Sequence, residues 1–243
     1  MPIHIYKNTD DLNKAVCEWM TGYINSTLEK NGRFTIALSG GSTPKKLHTL
    51  LAASPFKEKI DWGKMHFFWG DERAVPFTDE RNNAKMAFDT LLNLVPISAN
   101  QVHIMRTDIT PEDSAAAYEG ILHGYFDETA TTFDLVLLGM GDDGHTLSLF
   151  PGTEIIHEQN AWTKAFLLTS QNMYRISLTA PVVNKAACVA FLATGSKKAG
   201  TLKQVLYGDY LPDIYPSQLI KPNNGEAHWF IDEDAASELD KPT

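Results

Sequence analysis

An α/β fold built on a parallel, doubly wound sheet is the architecture this sequence predicts, and two observations carry it. Along 243 residues, short apolar runs with no helical period alternate with amphipathic segments of helical length. Several of the runs stop abruptly at glycine, hydroxyl or charged residues, as strands do when their carboxyl ends face a ligand crevice. The chain reads as a single domain, 1–243, because no internal repeat, low-complexity tract or linker interrupts it.

Residues 3–6 read as an edge strand. Thr9 or Asp10 then caps a long helix whose apolar face holds Leu12, Ala15, Val16, Trp19 and Tyr23, and Asn31-Gly32 stops it. Residues 34–38 are a second strand that runs straight into Ser39-Gly40-Gly41-Ser42-Thr43-Pro44. Thr43 suits the cap of the next helix, marked by Leu47, Leu50 and Leu51, with Pro44 at its first position. A third strand, 65–69, ends in Gly70-Asp71-Glu72-Arg73. A helix over 84–92, a short strand over 102–105 and a helix over 111–127 follow. The apolar run 133–138 is a buried strand that meets Gly139-Met140-Gly141-Asp142-Asp143-Gly144-His145. Strands at 165–168 and 175–178, a short helix at 181–186 and a buried strand at 188–193 come next. The last of these meets Gly195-Ser196-Lys197-Lys198-Ala199 and a helix to Leu206; a strand at 227–231 and a helix at 234–239 close the chain.

Composition narrows the function classes. A formal net charge of −9, with no Lys/Arg cluster longer than a pair, argues against a nucleic-acid or anionic-membrane surface. An anionic small substrate remains compatible, because local charge decides that. No apolar run approaches the ~20 residues of a membrane span, and the N-terminus lacks a basic segment followed by an apolar one, so an untargeted cytoplasmic protein is expected. Cys17 and Cys188 lie in amphipathic or apolar segments and read as packed thiols. With no H-x-x-x-H or C-x-x-C pair, no metal is expected.

Four strand ends carry polar chemistry. The Gly/Ser loop at Gly40, Gly41, Ser42 and Thr43 suits an anion, since glycines let the backbone approach and the helix N-terminus presents free N–H groups. It lacks the spacing of a P-loop, and a plain capped turn is the alternative. Asp71 and Arg73 could hold a polar substrate or polarise a carbonyl; a solvated ion pair is the alternative. Residues 139–144 match the letters G-x-G-x-x-G, but two aspartates would repel a pyrophosphate, and Pro151 leaves room for only about two helical turns, so no dinucleotide cofactor is expected. His145 beside Asp143 suits a general base supported by a carboxylate. Arg175 and Lys198, each adjoining a strand, would complete an anion clamp with the Gly/Ser loop.

Taken together, ALSGGSTP, FFWGDERAVP, FDLVLLGMGDDGHTLSLFPGT, RISLT, FLATGSKKA and HWFIDEDAA, in that order over about residues 34–236, resemble the 6-phosphogluconolactonases. The resemblance implies a Rossmann-like, mostly parallel sheet of the deaminase/ribose-5-phosphate isomerase kind with helices on both faces. It implies hydrolysis of 6-phospho-D-glucono-1,5-lactone in the oxidative pentose phosphate pathway, without a cofactor or an obligate protein partner. By position, Gly40, Gly41, Ser42 and Thr43 correspond to a phosphate loop with Arg175 and Lys198 as its cations, and Asp71, Arg73 and His145 to the reaction centre. Two departures bear on secondary substrate contacts: Asn82-Asn83 where the family commonly has Ser-Asn, and Pro216-Ser217-Gln218 where it often has Pro-Ala-Ser.

The mechanism this implies has His145 activate water for attack on C1, Arg73 stabilise the oxyanion, and either Asp143 or Asp71 support the imidazolium. An amino-sugar-phosphate deaminase or isomerase shares the same motifs, but such enzymes typically carry a glutamate five residues after the histidine, where this chain has Phe150. A non-catalytic sugar-phosphate sensor would usually bring a DNA-binding segment, and no basic helix-turn-helix is present in the sequence.

Overall fold

The structure, a computed structural model, describes residues 1–239. In chain order the elements are β1 (Ile3–Tyr6), α1 (Thr9–Leu28), β2 (Phe34–Leu38), α2 (Ser42–Leu51), β3 (Met65–Trp69), β4 (Asp71–Arg73), α3 (Asn83–Thr90), α4 (Pro111–Phe126) and β5 (Leu135–Gly139). They continue with β6 (Thr163–Leu168), β7 (Met173–Leu178), α5 (Ala180–Val183), β8 (Cys188–Ala193), α6 (Ala199–Tyr207) and β9 (Glu226–Asp232).

Six strands form one parallel sheet in the order β1-β9-β8-β5-β2-β3. Its central strands are continuous apolar runs because both of their faces are covered. On one face α1, α2 and α3 pack Leu12, Val16, Met20, Leu47 and Ala87 against Ile36, Leu137 and Ala190. On the other, α4 supplies Tyr118, Leu122 and Phe126, which pack with Val136, Leu138 and Phe191. This is the doubly wound, mostly parallel arrangement expected. Strand order runs outward in opposite directions from the β2/β5 pair, and a crevice opens beyond the carboxyl ends at such a switch point.

The remaining strands correct the sequence reading. β6 and β7 pair antiparallel, and with the three-residue β4 they make a separate small sheet in the order β4-β7-β6. Gly70 joins the two sheets: its N–H donates to Leu38 of β2 (2.9 Å) and its carbonyl accepts from Leu178 of β7 (2.8 Å). The run 102–105 forms no strand; Val102 makes a single bridge to Phe67 before the chain turns away. Residues 234–239 form consecutive turns in place of a helix, tied to β9 by Asp232, whose Oδ1 accepts from Gly195 and Ala235 (both 2.9 Å). Asn8, one residue earlier than expected, caps α1 through Oδ1, which accepts from Asp10 (3.0 Å) and Asp11 (2.9 Å). The Thr9 hydroxyl is engaged elsewhere, donating to Asp232 of β9.

Cys17 and Cys188 are free, buried thiols, and burial pushes both up to about 12. No helix among the described residues is long and apolar enough to cross a membrane.

The turn from β3 into β4 is held by one side chain from α4. Tyr118 Oη accepts from Trp69 N–H (2.8 Å) and donates to the Trp69 carbonyl (3.2 Å), with the tyrosine only 1% exposed. Tyr118→Phe strands both backbone groups in an apolar core and should cost about 1–3 kcal/mol. Urea unfolding reads this as a lower midpoint at unchanged slope.

Candidate active site

The carboxyl ends of β2, β5 and β8 converge with β4 and β7 on a cavity of about 310 Å³. Gly40, Gly41, Ser42, Thr43, Asp71, Arg73, His145, Arg175 and Lys198 all line it. Of the residues the sequence singled out, Asp143 alone does not; it stands behind His145.

Helix α2 begins earlier than the sequence suggested. Gly41 is its N-cap, at φ 107° and with no side-chain cap, so Thr43 is a helical residue and Pro44 takes the third position. The first intrahelical donor is Lys45 N–H, to Gly41 O (3.1 Å). Pro44 has no N–H to leave unpaired, so the amides of Ser42 and Thr43 precede the helical ladder, in the position where an anion binds a helix. The Thr43 hydroxyl reaches Thr194 Oγ1, at the end of β8 (3.2 Å). Gly40 is required for a different reason: a Cβ there would overlap the Asn83 side-chain amide.

Three cations flank this helix end. Arg73 and Arg175 are directly opposite each other in the β4–β7 register. Arg175 is 5% exposed, its Nη2 donates to Gln171 Oε1 (2.5 Å), and burial pulls its guanidinium below the ordinary arginine value. Arg73 Nη1 donates to the Arg81 carbonyl (2.7 Å). The Nε of each is buried without a protein acceptor. Lys198 Nζ donates to the Met140 carbonyl (2.5 Å); burial pulls the ammonium below the usual lysine range, with Asp142 and Asp232 opposing.

His145 follows β5 in a turn closed by Gly144 N–H to Gly141 O (3.1 Å) and Gly141 N–H to His145 O (2.8 Å). Its Nδ1 lies 2.5 Å from Asp143 Oδ1, which also accepts from the His145 backbone N–H (3.1 Å). Donation from Nδ1 leaves Nε2 as the basic nitrogen. The ring stacks on Phe150 at 4.1 Å between centroids, and a Cβ on Gly141 would overlap its Nδ1 and Cε1. Partial burial raises the Asp143 carboxyl, but the hydrogen bond and charge of His145 outweigh it and hold the group below the ordinary value. Asp71 does not contact His145 through a hydrogen bond; Oδ2 accepts from Ser148 Oγ (2.6 Å).

Asn83 and Glu72 complete the frame, and sequence reasoning missed both roles. Asn83 Nδ2 donates to the Asp71 carbonyl (2.9 Å). Glu72 accepts from the backbone N–H groups of Asn83 (2.7 Å), Ala84 (2.8 Å) and Arg73 (2.8 Å), fastening the start of α3 to β4. Burial pushes its carboxyl up to about 7 against those three donors. The two adjacent acids in Gly70-Asp71-Glu72-Arg73 were a visible signal; nothing in the sequence marks Gln171. Among the described residues, no group of three His, Cys, Asp or Glu side chains is placed to hold a metal ion.

The family model for glucosamine-6-phosphate isomerases/6-phosphogluconolactonase matches residues 7–229. The 6-phosphogluconolactonase of a Nostoc species is 41% identical over 223 residues, covering 89% of this chain and 89% of its own. The solved 6-phosphogluconolactonase from Trypanosoma cruzi superposes with a TM-score of 0.85 at 27% identity, covering 99% of this chain and 97% of that one. A monomeric glucosamine-6-phosphate deaminase, at 17% identity and a TM-score of 0.84 over 98% of this chain and all of its own (100%), shares the fold. Matched by the model over all but its ends, this chain belongs to the family of glucosamine-6-phosphate isomerases and 6-phosphogluconolactonases.

Proposed function

We propose that the chain is a single-domain 6-phosphogluconolactonase that hydrolyses 6-phospho-D-glucono-1,5-lactone to 6-phospho-D-gluconate. One observation carries the reading: a histidine backed by a carboxylate shares a single cavity with an uncapped helix N-terminus and three cations. A phosphorylated ester needs both ends of that arrangement. The two buried, unreactive thiols suit a reducing compartment, and we place the reaction in the cytoplasm.

The phosphate is held by the amides and hydroxyls of Gly40, Gly41, Ser42 and Thr43, with Arg175 and Lys198 neutralising its charge. Anchoring the remote phosphate orients the lactone carbonyl toward His145. His145 Nε2 removes a proton from water as the water oxygen bonds to C1. The C1 carbonyl oxygen becomes an oxyanion, stabilised by Arg73. Collapse breaks the bond from C1 to the ring oxygen, and the imidazolium returns its proton to that oxygen. Asp143, which accepts from Nδ1, stabilises the imidazolium in between. Asp71 acts as a tether, joining Ser148 of the histidine segment to β4. A δ-lactone is an activated ester, so no covalent nucleophile is needed. The deaminase reading lacks its acid: Phe150 is 9% exposed and stacked on the imidazole.

Acid release from freshly prepared lactone, with spontaneous hydrolysis subtracted, tests the activity directly. His145→Ala should lower kcat by ~10²–10⁴-fold; a kcat close to wild type would remove His145 as the base. Arg175→Ala should act mainly on KM, raising it with kcat largely retained. An unchanged KM in steady-state assays would take Arg175 out of the clamp.

Lys198 supplies a pH dependence. Its charged form binds phosphate, and burial lowers its pKa in the free enzyme, so the charge is lost as pH rises sooner than for an exposed lysine. The alkaline limb of kcat/KM should therefore fall below the ordinary lysine range, and Lys198→Arg should move it upward. A limb that stays in place in the variant would assign it to another group.

A further inference from the structure

His145, Asp143 and Phe150 fix the imidazole within its own loop, but that loop must still be held in place over the cavity. Residues 140–144 are irregular, and three of their carbonyls are engaged by other parts of the chain. Each is taken by a donor from the C-terminal third: Met140 O by Lys198 Nζ (2.5 Å), Asp142 O by Thr201 Oγ1 of α6 (2.7 Å), and Gly144 O by both Ser217 N–H (2.9 Å) and Ser217 Oγ (2.8 Å). Lys198 lines the cavity; Thr201 and Ser217 do not.

We infer that Thr201 and Ser217 are positioning residues for His145, their hydroxyls setting where the loop, and with it Nε2, stands relative to the bound carbonyl. The inference deepens the lactonase reading and rests on it. Gly144 sits at φ 81°, a backbone state that side chains rarely adopt, and Thr201 and Tyr215 close around it so tightly that a Cβ would crowd both. Ser217 is 2% exposed and speaks from a rigid support. Its neighbour Gln218 donates to the carbonyls of Gln204 (3.1 Å) and Asp209 (2.9 Å) and accepts from Leu211 N–H (2.7 Å). The base is thus registered against α6 and the segment that follows it, while the phosphate-binding amides belong to α2. Displacing a reacting group by about 1 Å costs on the order of 10²-fold in rate.

The test is the double variant Thr201→Val/Ser217→Ala, with Thr201→Ser as the conservative partner. Val keeps the shape of Thr and loses the hydroxyl; Ser keeps the hydroxyl. The double variant should lose roughly tenfold in kcat with KM within about twofold, and Thr201→Ser should stay close to wild type. Hydrogen exchange over residues 139–146, measured without substrate, should quicken in the double variant while the β-strand amides keep their protection. Unchanged exchange in that loop, unchanged kcat, or equal losses in the Thr201→Val and Thr201→Ser single variants would each overturn the inference. If the wild-type protein itself fails to hydrolyse the lactone, the functional reading falls, and the exchange measurement still reports separately on whether the two hydroxyls hold the loop.

Discussion

The double engagement of Gly70 is the constraint on which the site depends. One residue gives its N–H to the parallel sheet and its carbonyl to the small antiparallel sheet, so the two sheets are locked at the point where β3 ends and β4 begins. A Cβ there would overlap the end of the Leu147 side chain, so any larger residue would have to displace that leucine. The next residue, Asp71, is tethered to Ser148, and Ser148 N–H in turn donates to Ser177 Oγ of β7 (3.2 Å). The segment bearing His145 is therefore stitched to the sheet bearing the arginines. Candidate site residues from two layers share one cavity because backbone hydrogen bonds, which have little freedom in length, set the spacing between the layers.

The electrostatics follow from this frame. Arg73 and Arg175, directly opposite each other on adjacent strands, would repel were their charges uncompensated. Asp71 and Glu72 supply that compensation: both favour the charged Arg175, while burial and Arg73 oppose it. Among the described residues, the buried Nε of each guanidinium has no acceptor. A buried donor in that state is costly, so neither guanidinium is fully satisfied by the protein around it.

The sequence revealed elements where burial on both faces removes ambiguity. β2, β5 and β8 are continuous apolar runs because helices cover them above and below, and their polar ends marked the crevice. β4 was unreadable for the opposite reason. Asp71-Glu72-Arg73 has no apolar period, and it is a strand only because β7 pairs with it. The candidate residues on the Gly/Ser loop, β4, β7 and the histidine turn, which line one cavity, were legible from their positions at strand ends. The contacts that organise them were not: that Asn83 reaches back to Asp71, that Glu72 fastens α3, or that Asp143 rather than Asp71 meets the imidazole depends on side-chain directions fixed by tertiary packing. The start of α2 shifted for a local reason, since Gly41 at positive φ turns the chain into the helix before Thr43 can serve as cap.

The cationic cavity lies in a chain whose formal net charge is −9. Beyond a Debye length of about 8 Å the protein presents itself to a phosphosugar as another anion, and only inside that distance do Arg73, Arg175 and Lys198 dominate. Capture is then a short-range event, without long-range steering. The asymmetry favours the outgoing molecule. Opening the lactone converts a neutral ester into a carboxylate, so the product leaves with one more negative charge than the substrate brought. Inside the cavity the same three cations hold that extra charge; the global charge acts on the product only once it has left, where it opposes rebinding.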